Sequence, residues 1–279
     1  MATMNHTPHP ELTGRCYLVG AGPGDPELLT IKALKAIQSA TLLLVDDLVT
    51  DEIVAMASPT ARVIRVGKRG GCISTPQEFI ERLMLMAVRE GEIVVRLKGG
   101  DPFIFGRGGE EAEHLRAAGV HVEVINGITS GLAAPSSLGI SLTHREHAHG
   151  VVLVTGHAGH GNEGVNWREI GHMAQRAKLT LVIYMGVSSA REIESGLLAG
   201  GLDAQTPAAL ISNASKQKQT HVIAELGQLA DTLKESGLGS PCVFVIGDVV
   251  RTGDPAALFG DGSYFRVAER ESISSPAWR

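Results

Sequence analysis

RLKGGDPFIFGRGGEE, residues 96–111, is the stretch that decides the fold. It completes an apolar run, Ile93–Leu97, of strand character that stops at Lys98. A Gly-Gly-Asp-Pro loop follows, then three large apolar residues, then Arg-Gly-Gly-Glu-Glu. Glycines let a ligand approach the backbone, while Arg and Glu bind or move charge. Phe103-Ile104-Phe105 supplies an apolar wall. A strand that ends in such a loop is the signature of a ligand site at the carboxyl edge of an open α/β sheet.

Outward from this stretch the same unit repeats. Strand-like runs occur at Cys16–Val19, Leu42–Val45, Val63–Val66, Ile93–Leu97 and Val122–Ile125, with helical patterns between them. Asp25-Pro26-Glu27 reads as a helix start, a cap followed by proline in the first turn. Leu28, Ile31, Leu34 and Ile37 then keep one apolar face. Thr75-Pro76-Gln77-Glu78 reads as a capping box. The pattern restarts after Gly150 with Val151–Val154, Leu181–Tyr184, Ala208–Ile211, His221–Ala224 and Val243–Ile246. Strands alternating with helices predict an α/β fold with mostly parallel or mixed sheets. Two domains are expected, residues 13–142 and 151–250. THREHAHG (143–150) marks the boundary, and flexible tails are expected at 1–12 and 251–279.

Bulk properties narrow the function. The 279 residues are 43% apolar and carry a formal net charge of −5. That composition is globular, and the acidic balance argues against a nucleic-acid partner bound by phosphate neutralisation. Cys16, Cys72 and Cys242 are far apart and form no CxxC pair, so neither a disulfide framework nor a thiolate zinc site is predicted. No apolar run is long enough for a membrane span, and the first residues lack the apolar core of a secretion signal. A cytoplasmic protein is expected.

The loop LVGAGPGDP, 18–26, follows a strand where dinucleotide fingerprints sit. Its glycines fail GxGxxG, because Asp25 stands where the third should be. It reads either as a tight turn ending in a helix cap or as a loop offering its backbone to a ligand. Together with Lys98-Gly99-Gly100-Asp101-Pro102 it places two glycine-rich loops on one sheet edge. Lys68, Arg69, Arg96, Lys98, Arg107 and Arg145 gather around these loops and suggest an anionic ligand. His144, His147, His149, His157 and His160 are close in sequence, but no HExxH-type carboxylate motif accompanies them, so no metal is expected. His144 and His157 have the better claim to function.

VGAGPGDP, VGKR, RLKGGDPFIFGRGGEE, GITSG, GISLTHR, TGH and YMG stand in the order and spacing of uroporphyrinogen-III C-methyltransferases, which this chain resembles from about Val19 to Val250. The resemblance implies the tetrapyrrole methylase fold, with an active-site cleft between two α/β domains, and a homodimer. It implies two methyl transfers from S-adenosylmethionine to uroporphyrinogen III, giving precorrin-2 and S-adenosylhomocysteine. It places the cofactor against Pro23, Gly99, Gly100, Asp101, Ile104, Thr129, Ser130, Met185, Ala214 and Cys242. Arg107, Glu110 and Asp46 become catalytic, and Arg107, Arg145, His157 and Met185 bind substrate. Three positions depart from the usual pattern. Ser141 and Asn126 replace prolines, and Asp47 replaces an arginine or small residue. They bear on loop geometry and on the role of Asp46.

A sister enzyme acting on a later corrin precursor is the nearest alternative, and FGRGGEE and LTHR argue against it. A dinucleotide or nucleotide-sugar enzyme is disfavoured by the broken GxGxxG, and a non-enzymatic ligand binder would bind the cofactor without turnover. No fused dehydrogenase–chelatase module is expected. The residues leave open whether the product serves sirohaem, cobalamin or haem d1.

Overall fold

The computed structural model describes residues 14–67, 75–157 and 164–259. They form two compact units that divide between Thr129 and Ser130. The segment 130–149 therefore groups with the second unit.

In the first unit, β1 (Arg15–Gly20), α1 (Ile31–Ser39), β2 (Leu42–Val45), α2 (Asp51–Val54) and β3 (Arg62–Arg65) come first. α3 (Gln77–Arg89), β4 (Ile93–Lys98), α4 (Gly108–Ala117) and β5 (Val122–Ile125) complete it. The sheet order is β3-β2-β4-β1-β5, and every pairing is parallel. Its strands are buried on both faces, which is why they read as continuous apolar runs. Cys16, Leu18 and Val94 face one core with α3 and α4. Val19, Val95 and Leu97 face the other with α1.

In the second unit, α5 (Ser130–Ser136), β6 (Gly150–Thr155), α6 (Trp167–Ala177), β7 (Leu179–Tyr184) and α7 (Ala190–Ala199) are followed by β8 (Pro207–Ser212) and β9 (Thr220–Glu225). α8 (Leu229–Ser236), β10 (Cys242–Ile246) and α9 (Pro255–Phe259) close it. The order is β6-β7-β10-β8-β9. β6 and β7 are parallel, whereas β10 runs antiparallel to β7 and β8. The expected strands are therefore present in both halves, one sheet all parallel and one mixed.

Three local expectations need correction. Asp25 caps only a single 3₁₀ turn, Pro26–Leu28. α1 starts later, with Thr30 Oγ1 accepting from Ala33 N at 3.1 Å. Its buried face is consequently Ala33, Ala36 and Ile37, while Ile31 is 74% exposed. With Ala33, Ala36 and Ile37 against the sheet, Ile31 is turned outward. The capping box is not formed either, because Pro76 occupies the N-cap of α3 and no side chain caps it. Gln77 turns instead to Glu111. Residues 251–259, expected in a flexible tail, are a 3₁₀ end and α9, with Leu258 buried.

His221 on β9 holds this last helix. The buried imidazole donates through Nε2 to Leu258 O at 3.3 Å. Burial pushes its pKa below the usual histidine value. The unfolded chain then takes a proton near pH 6.5 that the folded chain resists, so this histidine contributes stability above that pH and loses it as pH falls through the folded value. The urea midpoint should drop less between pH 7.5 and 5.5 in His221→Gln than in wild type. An equal drop in both would remove His221 from the cause.

Candidate active site

Because the first sheet is parallel, the loops after β1, β2, β4 and β5 all leave its carboxyl edge. β1 and β4 are neighbours, so the two glycine-rich loops meet there as expected. Gly22 N donates to Gly100 O at 3.1 Å and Gly100 N to Gly22 O at 2.7 Å. Both glycines sit at positive φ, +71° and +67°, a region that side chains with a Cβ rarely enter. Pro23 is buried beside them, and Gly99, Gly100 and Ile104 are partly exposed.

Asp101 pins this edge together. Its buried carboxylate accepts from Phe103 N at 2.8 Å through Oδ1. Oδ2 accepts from Asn126 Nδ2 at 3.1 Å and Gly127 N at 3.2 Å. Asn126, one of the departures from the expected pattern, thus supplies a donor that proline would lack. Asp101 joins the loop after β4 to the loop after β5, which leads to buried Thr129.

Arg107 occupies the N-cap of α4 in a left-handed conformation, φ +58°. Its Nε donates to Glu110 Oε2 at 3.0 Å and its Nη2 to the same oxygen at 2.5 Å. The guanidinium side chain is 56% exposed, so it stands at the surface of its unit with Glu110 as partner. The hydrogen bond from Arg107 is the main cause that holds the Glu110 carboxyl below the usual carboxylate range. Gly106 and Gly108 flank Arg107 where the chain folds back against Pro102. A Cβ at either would press on Pro102 O, at 2.7 and 2.5 Å.

The second sheet presents a comparable edge. β6, β7 and β8 end there and antiparallel β10 begins there, so His157, Met185, Ala214 and Cys242 share it. His157 and Met185 are exposed, and Ala214 is buried. Cys242 belongs to the apolar core, where burial pushes its thiol up to about 12. Tyr184 Oη accepts from Gly131 N at 2.9 Å, tying the start of α5, with Ser130, to the end of β7. Exposed Arg145 lies in the turn bridged by His144 and Ala148.

Other expectations resolve differently. Arg96 and Lys98 do not belong to an anion-binding patch, since both are buried against Glu111. Lys68, Arg69 and His160 lie outside the described residues. His144, Glu146 and His147 bring three donor atoms within 4.8 Å, though Nδ1 of His144 already accepts from Glu146 N at 3.2 Å.

Backbone strain gives a signal that residue type alone did not. Six non-glycine residues have positive φ among the described residues, and five are Phe105, Arg107, Met185, Asn213 and Ser215. All five lie in loops at the two edges just described. Such conformations cost ~1–3 kcal/mol each and cluster at functional sites.

A parallel sheet with glycine-rich loops at its carboxyl edge, followed by a second, mixed sheet, places the chain among α/β proteins that carry a ligand site at a sheet edge. The family model of tetrapyrrole (corrin/porphyrin) methylases matches residues 15–230, and the chain belongs to this family. It is 51% identical over 240 residues to a uroporphyrinogen-III C-methyltransferase of Pseudomonas aeruginosa, covering 86% of this chain and 96% of the relative. A crystal structure of the Thermus thermophilus uroporphyrin-III C-methyltransferase with S-adenosylhomocysteine matches at 42% identity and TM-score 0.73, covering 86% of this chain and all of that one. A cobalt-precorrin-4 methyltransferase of cobalamin biosynthesis matches at 26% identity and TM-score 0.76, over 88% of this chain and 99% of that one.

Proposed function

We propose that this chain is a uroporphyrinogen-III C-methyltransferase, which moves two methyl groups in turn from S-adenosylmethionine to uroporphyrinogen III and releases S-adenosylhomocysteine. The observation that carries this is the built loop edge around Asp101, with Arg107 and Glu110 beside it, in a chain 51% identical to an enzyme of that name.

The donor would lie on Pro23, on the backbone of Gly99, Gly100 and Asp101, near Ile104 and on Thr129 and Ser130. Met185, Ala214 and Cys242 would also contact the donor, Cys242 through its place at the start of β10 rather than through its buried thiol. The paired glycines fit such a ligand, because Gly22 and Gly100 join the two loops by backbone hydrogen bonds at left-handed torsions that a Cβ disfavours. Bound there, the donor supplies an already activated sulfonium methyl.

Catalysis is then mainly alignment of the attacking carbon plus loss of a proton. Arg107 keeps its charge, since guanidinium does not deprotonate in proteins. It grips a substrate carboxylate or orients a pyrrole with its planar fork. Glu110, oriented by its hydrogen bonds from Arg107, accepts the proton, with His157 or water as the other acceptors. Asp46 accepts from the pyrrole N–H groups, and Arg145, His157 and Met185 contact the macrocycle. No metal takes part in this scheme.

The substrate is tested by offering labelled S-adenosylmethionine with uroporphyrinogen III or with a later, already methylated corrin precursor. Label in the former supports the proposal, and label only in the latter assigns the sister activity. We also propose a cytoplasmic homodimer. No described helix is long and apolar enough to cross a membrane. Light scattering at micromolar concentration should give twice the chain mass, and a monomer mass would contradict the dimer.

A further inference from the structure

Among the charged side chains buried in the first unit, three form a cluster against its central strand. Arg96 and Lys98 are each 2% exposed and Glu111 is 0% exposed. The two cations are alternate residues of β4, so they share the face that meets α3 and α4. Glu111 Oε1 receives Arg96 Nε at 3.1 Å, Lys98 Nζ at 3.2 Å and Gln77 Nε2 at 2.9 Å. Its Oε2 lies 3.2 Å from Lys98 Nζ. Burial, and then the charge of Arg96, push Lys98 below the usual lysine range, against the pull of Glu111.

Stability alone does not account for such a group. Buried ion clusters lose so much hydration that apolar residues of similar volume are often as stable or more so. Two cations against one carboxylate also leave a net positive charge. The cluster has two connections to the edge of the sheet, and both reach residues with proposed chemical roles. Arg96 Nη2 lies 3.7 Å from Asp46 Oδ1, whose side chain is 34% exposed just beyond β2. Asp46 is thus the countercharge that the cluster lacks. On the other side, Glu111 belongs to the first turn of α4, and its N–H donates to Arg107 O at 3.2 Å. Holding Glu111 under the sheet holds the turn that carries Arg107 and Glu110.

We infer that Arg96, Lys98 and Glu111 are positioning residues that fix the Asp46 carboxylate and the Arg107–Glu110 pair relative to one another. The inference deepens the proposed function and rests on the roles given there to Asp46, Arg107 and Glu110. The cofactor loops are held separately, by Asp101 and the Gly22–Gly100 bridge, so the cluster should govern turnover rather than cofactor affinity.

The test uses the full chain with uroporphyrinogen III and S-adenosylmethionine. Arg96→Met keeps the volume and removes the charge. It should lower kcat about tenfold or more while S-adenosylhomocysteine affinity and melting temperature stay close to wild type. Arg96→Lys should recover part of the loss. Glu111→Gln should also lower kcat, and Arg96→Met keeps the test valid if that variant does not fold. In an Asp46→Asn background, Arg96→Met should cost far less than it does alone, because coupled residues are not additive. Full turnover by Arg96→Met, or a full multiplicative loss in the double variant, would overturn the inference while leaving Asp46 catalytic. Full turnover by Asp46→Asn alone would remove the role of Asp46 and the inference with it. A collapse of melting temperature in both Arg96→Met and Arg96→Lys would make the cluster structural and also overturn it.

Discussion

Arg107→Leu is expected to bind S-adenosylhomocysteine almost normally and to lose methylation by about two orders of magnitude or more. At ~1.4 kcal/mol per factor of ten, that is roughly 2.8 kcal/mol of lost transition-state stabilisation. The free chain pairs Arg107 with Glu110 at its surface, so the variant removes little folding energy. The loss arises when a tetrapyrrole covers the pair and its carboxylate or pyrrole N–H groups meet no guanidinium fork, and when Glu110 loses the partner that orients it. Arg107→Lys should also be impaired, though less, since an ammonium cannot make two parallel hydrogen bonds. Steady-state rates and calorimetric titration on the same preparations check both statements. Full turnover, or loss of cofactor binding ahead of turnover, would show that the residue has been given the wrong task.

Asp101→Ala is expected to act in the opposite way, raising the dissociation constant for S-adenosylhomocysteine about tenfold or more and reducing turnover through binding. Its carboxylate ties Phe103 N, Asn126 Nδ2 and Gly127 N. Hydrogen bonds to a charged group contribute ~1.5–3 kcal/mol each, and the donors left behind in a buried place cost more. The loops after β4 and β5 would then separate at the position where the cofactor backbone contacts are proposed. Asn126→Ala removes one of the three bonds and should weaken binding less. Unchanged affinity in Asp101→Ala would detach this clamp from the cofactor site.

Much of the architecture was legible because it rests on periodicity and burial. Runs such as Leu42–Val45 and Val243–Ile246 are buried on both faces, so nothing in them conflicts with strand formation. What the residues concealed was decided by tertiary competition. Asp25 has the chemistry of a helix cap, yet Thr30 captures α1 five residues later. Thr75 and Glu78 fit a capping box, yet α3 starts one residue later with Pro76 at its N-cap. Two members of the basic cluster around the glycine loops, Arg96 and Lys98, are withdrawn from any ligand for the same reason. Arg96 and Lys98 alternate with apolar residues on a central strand, and that position alone was a sign that their charge is spent inside the protein. The left-handed Met185, Asn213 and Ser215 have no composition signal, because each is held there by its loop. Glu110 and Met185 stand out only through whole motifs, whereas Arg107 is also marked by its place among the basic residues beside the glycine loops.

The central claim is that one polypeptide adds two methyl groups to uroporphyrinogen III. The most direct test is to incubate the purified chain anaerobically with uroporphyrinogen III and excess S-adenosylmethionine and to follow product mass over time. A singly methylated species should rise and give way to a doubly methylated one with the absorbance of precorrin-2, two S-adenosylhomocysteine being formed per macrocycle. Unmodified uroporphyrinogen III, or a product that stops at one methyl with donor still in excess, would contradict it.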